Sequence, residues 1–363
     1  MDIKRKFSRT LEEEKGGFLA FIGRTVGKIT TLNEENIHDM PKGGMLVCCT
    51  HRSHLDYVII GLKITEFGAD QIRFAAGDNL TRIPVLGKLF RSVGAFSVYR
   101  GKSSQRAYIM RLAQQVKLMV ASGDTIIVFP ESGRSYCGRM LEVKSGVLAS
   151  GILAQKDNPQ KDIYYLPTAI NYTRLPDLRA FDLLLKGKTM RDESKNIFVR
   201  LIGNFLYYFA DVKVFLGAWI FKIKTDAIIN IGKPTKLSEI TDIEGNFRAD
   251  AKSSIIANRD SISDCSQWVG KQLASLFPIL PINVAAYLLD SFGESGCNEE
   301  NFAKTVKQLK ELGLYVGLLE AKPDKDIIKD GIKALKKNGA LKVKSRMKYL
   351  ADFISSYLDG KGE

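Results

Sequence analysis

The chain has few of the residues from which metal centres and disulfide frameworks are built. It contains three histidines and five cysteines in 363 residues. The cysteines are odd in number and include no Cys-x-x-Cys pair, so neither a disulfide framework nor a zinc ribbon is expected. This composition fits a reducing cytoplasm, and we expect no metal ion and no cofactor.

Long uninterrupted apolar runs are also missing. The most hydrophobic stretch, residues 198–221, is interrupted by Arg200, Asp211 and Lys213, and a spanning helix needs about 18 or more apolar residues. We therefore expect no membrane span, and the start of the chain has no apolar core that would make it a secretory signal. The aromatic, apolar and basic residues of 198–221 fit either a membrane headgroup boundary or a buried pair of helices.

Positive charge is in excess. The 54 Lys and Arg residues against 40 Asp and Glu give a net charge of +14, which favours anionic partners such as phosphates, acidic lipid surfaces or nucleic acid. The segment 322–348 is especially basic, which is typical either of such a binding surface or of a solvated helix surface. Because no nucleic-acid-binding motif accompanies it, we expect no nucleic-acid partner.

Hydrophobic patterning predicts an α/β fold, with a mixed sheet flanked by helices and a mainly helical region after about residue 237. Strand-like runs alternate with helical stretches along the first two thirds of the chain. The predicted strands are 44–49, 71–75, 124–129, 162–171 and 226–231, and the predicted helices between them are 53–66, 104–122 and 144–154. Residues 17–32 have apolar side chains at helical spacing, which predicts an amphipathic helix.

The most informative stretch is HRSHLDYV, residues 51–58, which holds two of the three histidines and an acid. It follows a predicted strand, so that His51 is expected at the carboxyl end of that strand, where open α/β sheets bind ligands. Asp56 can face His51 only if the chain turns between them, because residues five apart do not share a helix face. Ser53 predicts such a turn, since Ser-x-x-Asp before an apolar run is typical of a helix N-cap.

Three interpretations of this stretch follow from the residues alone. An imidazole held by a carboxylate keeps one tautomer and can act as a general base toward a hydroxyl. Alternatively, Asp56 only caps the helix and His51 lies in a turn. A third possibility is a metal-dependent hydrolase using His51, His54 and Asp56, although only His38 remains as a further histidine ligand.

Four blocks in sequence order resemble the glycerolipid acyltransferases. They are HRSHLDY (51–57), GAFSVYR (94–100), FPESGRS (129–135) and YLP (165–167). The first block is similar to the glycerol-3-phosphate acyltransferase branch in particular. Two further stretches, AGDNL (76–80) and NIGKP (230–234), agree with it. The resemblance extends over roughly residues 40–240.

The resemblance implies catalytic roles for His51 and Asp56, and it implies that Arg100, Glu131 and Arg134 bind glycerol phosphate. Gly133 and Ser135 are predicted as further substrate-binding residues because of their chemistry. Chemistry agrees, because the planar fork of an arginine suits a phosphate and glycine lets the backbone turn tightly. For the residues taken singly, an alternative is a surface ion pair between Arg134 and Glu131.

The implied function is transfer of a fatty acyl group from an acyl-CoA or acyl carrier protein thioester to the sn-1 hydroxyl of glycerol 3-phosphate, in phospholipid synthesis. A lysophosphatidate acyltransferase is the nearest alternative. We expect a peripheral protein on the cytoplasmic face of the cell membrane, bound to anionic lipid. The expected regions are an N-terminal amphipathic segment (1–35), an acyltransferase catalytic domain (36–240) and a mainly helical, basic C-terminal region (241–363).

Overall fold

The structure is a computed structural model that describes ten ranges of the chain. These ranges are residues 26–53, 55–69, 71–77, 94–98, 106–131, 133–135, 137–144, 146–220, 224–243 and 259–359. They contain eight β-strands and eleven α-helices. Arg100 and His54 lie outside the described residues.

All eight strands form one mixed sheet. Their bounds are β1 Val26–Leu32, β2 Gly44–Cys49, β3 Ile72–Gly77, β4 Ala95–Val98, β5 Thr125–Val128, β6 Ile163–Tyr172, β7 Thr225–Ile231 and β8 Thr235–Lys236. The order is β1-β7-β6-β2-β5-β3-β4, and β8 also pairs with β6. The five strands from β6 to β4 run parallel, whereas β7 and β8 are antiparallel to β6. The carboxyl ends of the five parallel strands therefore meet at one edge.

Helices cover both faces of the sheet. Their bounds are α1 Asp56–Glu66, α2 Arg106–Ala121, α3 Gly146–Asp157, α4 Phe181–Glu193, α5 Ile197–Ile220, α6 Leu237–Ile243, α7 Arg259–Leu276, α8 Pro281–Gly296, α9 Glu299–Glu311, α10 Asp324–Asn338 and α11 Lys344–Leu358. Strand β2 shows the arrangement: Met45 and Val47 join the core with α1 and the C-terminal helices, while Leu46 packs with α2 and α3 on the other face. Alternate residues of this buried strand thus serve two cores.

The C-terminal helices share the first of these cores with the sheet. The Phe277 and Phe353 rings lie 4.2 Å apart. Buried Asn283 on α8 accepts a hydrogen bond from Asn171 on β6 at 3.1 Å and donates to the Leu350 carbonyl on α11 at 3.0 Å. A strand and two C-terminal helices are thereby joined through one buried amide.

The predicted fold class is confirmed, and the five predicted strands and the helices between them are present. The helix predicted for 17–32 is wrong over Val26–Leu32, which forms strand β1 beside β7; residues 17–25 lie outside the described part. Its β-branched residues, among them Thr30 and Thr31, pack well on a pleated edge strand, and backbone pairing with β7 outweighs the helical spacing.

In the part of the chain that the structure describes, no single helix is long and apolar enough to cross a membrane. Two consecutive helical segments, Cys265–Leu276 and Pro281–Gly296, together have the length and apolar composition of a span, but the chain bends by 97° between them.

Candidate active site

The predicted pair of His51 and Asp56 meets at the carboxyl edge of the sheet. His51 follows β2, and its Nδ1 lies 2.8 Å from Oδ2 of Asp56, the first residue of α1. The residues between them turn the chain, as the sequence predicted. Asp56 is fully buried, and His51 is 8% exposed. The carboxylate holds the imidazole through Nδ1, which leaves Nε2 as the nitrogen that can exchange a proton with a substrate.

The Asp56 carboxylate accepts hydrogen bonds on both oxygens. Besides His51, its Oδ2 accepts from the backbone N–H groups of Arg52 at 2.6 Å and Ser53 at 2.9 Å. Its Oδ1 accepts from the Tyr172 hydroxyl at 2.5 Å. A buried carboxylate with this many donors is fixed in orientation, and the N-terminus of α1 favours its negative charge.

Ser53 is not the N-cap that the sequence predicted. The helix begins at Asp56, after Leu55, and no side chain caps it. The Ser53 hydroxyl instead accepts from the Leu55 N–H at 3.3 Å and donates to Asp177 at 3.2 Å. The Ser53 backbone N–H does bond to the acid three residues on, so half of the predicted reciprocal pattern forms.

His51 is also held through its ring and backbone. The imidazole stacks on Phe129 with ring centres 4.3 Å apart. Its backbone N–H donates to Oε1 of Glu131 at 2.9 Å, and its carbonyl accepts from the Ser135 N–H at 3.3 Å. Phe129, Glu131 and Ser135 all follow β5, the neighbour of β2, so adjacent strand ends place the histidine.

Glu131 is buried and supports two loops. Its second oxygen accepts from the Leu141 N–H at 2.9 Å. Burial raises the pKa of the Glu131 carboxyl above its usual value, against the opposing charge of Arg52 and the two N–H donors. No surface pair with Arg134 forms, so that alternative is wrong: both side chains are buried and Arg134 has another partner.

That partner is Asp177, in the short 3-10 helix Pro176–Ala180 after β6. The Arg134 Nη1 lies 2.7 Å from Oδ2 of Asp177, and both side chains are buried. The other Asp177 oxygen accepts from Ser53. Arg134 and the His51 turn are therefore linked through one carboxylate, and the predicted phosphate-binding role of Arg134 stays a prediction.

Gly133 and Ser135 follow β5, near the His51 turn, while Arg100 lies outside the described residues. Gly133 is half-buried with open space where a Cβ would stand, so the described backbone does not require glycine there. Ser135 is buried, and its hydroxyl lies 3.7 Å from the Cys137 sulfur. Within the described residues, no group of three or more His, Cys, Asp or Glu side chains is arranged to hold a metal ion.

Arg52 extends the site toward the C-terminal helices, a contact that the sequence analysis missed. Its Nη1 donates to the carbonyls of Gly138 and Arg139 at 3.2 and 3.1 Å. Its guanidinium carbon lies 4.7 Å from the centre of the Phe277 ring. Gly138 has φ of 85°, and a Cβ there would lie 1.9 Å from the Tyr349 carbonyl, so only glycine allows this loop to approach α11.

Tyr172 was also missed, because it lies 116 residues from Asp56 in sequence. Burial, together with the adjacent Asp56 charge, raises the pKa of the Tyr172 hydroxyl well above its ordinary value, so the hydroxyl remains a hydrogen-bond donor.

A hydrogen bond to a charged group, such as that from Tyr172 to Asp56, is worth about 1.5–3 kcal/mol. For Tyr172→Phe we expect about tenfold lower kcat with KM little changed, measured by acyl-transfer assay. A kcat equal to that of the unaltered protein would contradict this positioning role.

Residues 28–171 match the family model described as Acyltransferase. Curated glycerol-3-phosphate acyltransferases of Pseudomonas syringae pv. tomato and Ectopseudomonas mendocina are 27% identical over 277 residues and 26% identical over 296 residues. The alignments cover 75% and 80% of this chain but 31% and 33% of those proteins. The chain thus spans about a third of the length of these relatives.

Among solved structures, the 1-acyl-sn-glycerophosphate (LPA) acyltransferase PlsC from Thermotoga maritima aligns with a TM-score of 0.38 and 17% identity, over 76% of this chain and 83% of that one. The family match at residues 28–171 contains the His51–Asp56 pair, Glu131 and Arg134. By this match, and by the blocks that surround these residues, residues 28–171 of the chain are similar to the acyltransferase family.

Proposed function

We propose that this chain is a glycerol-3-phosphate acyltransferase, which transfers a fatty acyl group from a thioester to the sn-1 hydroxyl of glycerol 3-phosphate in phospholipid synthesis. The observation that carries the proposal is the buried His51–Asp56 pair, at 2.8 Å, within an acyltransferase domain. The names of the curated relatives support glycerol 3-phosphate as the acceptor.

In the proposed reaction, Nε2 of His51 takes the proton from the acceptor hydroxyl as that oxygen attacks the thioester carbonyl. The C–O bond forms, and the tetrahedral intermediate then expels the thiolate. The imidazolium returns its proton to the thiolate, so the products are an ester and a free thiol. Asp56 stabilises the imidazolium and keeps the ring in one orientation.

Purified protein, incubated with glycerol 3-phosphate and a long-chain acyl-CoA, tests the proposal by the release of thiol. The lysophosphatidate alternative is separated by competition, with both acceptors at equal concentration and products resolved by chain number. A site built for lysophosphatidate would bury its acyl chain, at about 0.8 kcal/mol per methylene. Mainly monoacyl product supports the proposal, and mainly diacyl product overturns the acceptor assignment.

Arg134 and Arg100 are proposed to bind the acceptor phosphate, with Glu131 and Ser135 near the glycerol. Arg134→Lys keeps the charge and loses the planar fork, so we expect kcat/KM for glycerol 3-phosphate to fall roughly 10–100-fold. The KM for the acyl donor should stay nearly constant. Because Arg134 pairs with buried Asp177, thermal unfolding of the variant must be measured alongside. A defect confined to the donor would place this arginine near the thioester instead.

The proposed donor is an acyl-CoA or an acyl carrier protein thioester, because both present negative charge to a protein of net charge +14. We further propose that the protein acts peripherally at the cytoplasmic face of the cell membrane, on anionic lipid. The same positive charge supports this location. Comparing the two donors at equal concentration identifies the one preferred.

A further inference from the structure

Helices α4 and α5 form a tight hairpin between β6 and β7. Only residues 194–196 join them, and the Asn196 side chain accepts from the Phe198 N–H at 2.9 Å, which caps α5. The two helices are in close contact, because a Cβ on Gly187 of α4 would lie 2.7 Å from the Tyr207 nitrogen and 2.9 Å from the Gly203 carbonyl oxygen of α5. This packing makes the hairpin a defined structural element.

The outer face of α5 is apolar and uncovered. Six large apolar side chains are exposed over its first 13 residues: Ile197 (75%), Phe198 (67%), Leu201 (59%), Ile202 (39%), Phe205 (65%) and Phe209 (49%). At about 100° per residue, all six fall within an arc of roughly 140°. Buried Gly203 and Ala210 occupy the opposite side. We call these six residues the α5 face.

Of the exposed charged side chains that the structure describes on the hairpin, most are positive. Arg200 is the one charged residue in 197–209, and it is exposed, as are Lys195 in the connection and Lys186 on α4. Glu193 is an exposed acid at the end of α4. Apolar and aromatic residues bordered by lysine and arginine suit a lipid surface with anionic headgroups, whereas a contiguous exposed apolar patch is uncommon on a monomer without a partner.

The hairpin continues directly from the active site. Tyr172, at the end of β6, donates to Asp56, and Asp177, in the next turn of chain, bonds both Ser53 and Arg134. Helix α4 begins four residues after Asp177, and its first residue, Phe181, packs on Tyr349 with ring centres 4.6 Å apart. The segment that orients the catalytic pair is therefore the segment that supports α5.

We infer that the α5 face docks on a bilayer containing anionic lipid and that the hairpin thereby holds the His51 site at the membrane surface. This inference rests on the proposed function: the proposed product carries a fatty acyl chain and partitions into lipid, so the site would release it at the membrane surface. The basic border of the face selects the anionic headgroups, and the apolar side chains enter the headgroup boundary.

The test is flotation of the purified 363-residue chain with vesicles of phosphatidylcholine and phosphatidylglycerol in equal parts. The variant is Phe198→Ser with Phe205→Ser. The matched control is Leu118→Ser with Leu312→Ser, two exposed leucines (58% and 52%), one on α2 and one directly after α9. We expect roughly tenfold or greater loss of vesicle partition for the phenylalanine pair and little change for the control. Lys195→Glu with Arg200→Glu should weaken binding to these vesicles but not to phosphatidylcholine alone.

Three results would overturn the inference: equal vesicle binding by the phenylalanine variant, equal loss in the control, or a change in oligomeric state without a change in vesicle binding, which would assign the face to a second copy. Flotation uses no substrate, so its outcome is independent of the reaction. A short-chain, water-soluble acyl thioester reports on the reaction separately. Retained activity of the phenylalanine variant with that donor supports a docking role, and its loss would mean that the substitutions damage the site itself.

Discussion

His51→Ala is expected to lower turnover by roughly 10²–10⁴ and to leave the fold intact, because it removes the proposed general base without removing a buried charge. The imidazole is held by Asp56 at 2.8 Å and stacked on Phe129. Its loss therefore removes the proton acceptor and leaves the surrounding hydrogen bonds of Asp56 in place. The measurement is kcat for acyl transfer, with thermal unfolding as the check on folding.

His54→Ala is the matched control for this experiment, since it removes the other histidine of the same stretch. We expect a much smaller effect on kcat. Activity is also measured with and without EDTA. A larger loss of kcat from His54→Ala than from His51→Ala would replace the general-base assignment with a metal-dependent one. Abolition of activity by EDTA would do the same.

Asp56→Asn is expected to lower kcat by roughly 10²–10⁴ as well. The amide can occupy the same space, but it has no charge to stabilise the imidazolium, and only one of its two polar atoms accepts hydrogen bonds. The native carboxylate accepts from His51, two backbone N–H groups and Tyr172, so the amide must leave one of these donors poorly matched.

Combining Asp56→Asn with Tyr172→Phe tests whether the tyrosine acts through the aspartate. The double variant should lose little more than Asp56→Asn alone, because both changes affect one hydrogen-bonded unit. Fully additive losses would show that Tyr172 acts independently of Asp56. The free energy of unfolding of each variant separates loss of packing from loss of catalysis.

The local part of the site could be predicted from the sequence. His51 and Asp56 are five residues apart, and a turn signal together with strand and helix patterning suffices to bring them together. The five predicted strands could also be predicted locally, because each has a strong apolar run. Strand β1 was missed because its apolar residues also fit a helical spacing, and the choice was made by pairing with β7, about 200 residues away.

The long-range part could not be predicted. Tyr172 reaches Asp56, and Asp177 reaches Arg134, only because β6 lies beside β2 in one particular register. Nothing in a single sequence gives the register of strands that are more than 100 residues apart. The sequence predicted that Arg134 binds a phosphate. It did not predict the buried ion pair with Asp177, because that residue follows β6, a strand distant in sequence. Arg52 shows the same limit, since its contacts come from a distant loop and helix.

The contact of Arg52 with Phe277, and the close approach of Gly138 to Tyr349, join the His51 turn to the C-terminal helices. The match to the family model ends at residue 171, but these contacts reach beyond it to Phe277 and Tyr349. A change that loosens α11 should therefore lower the protection of the His51 turn against hydrogen exchange, even though it touches no predicted catalytic residue. The helices after residue 259 are part of the scaffold that supports the His51 site.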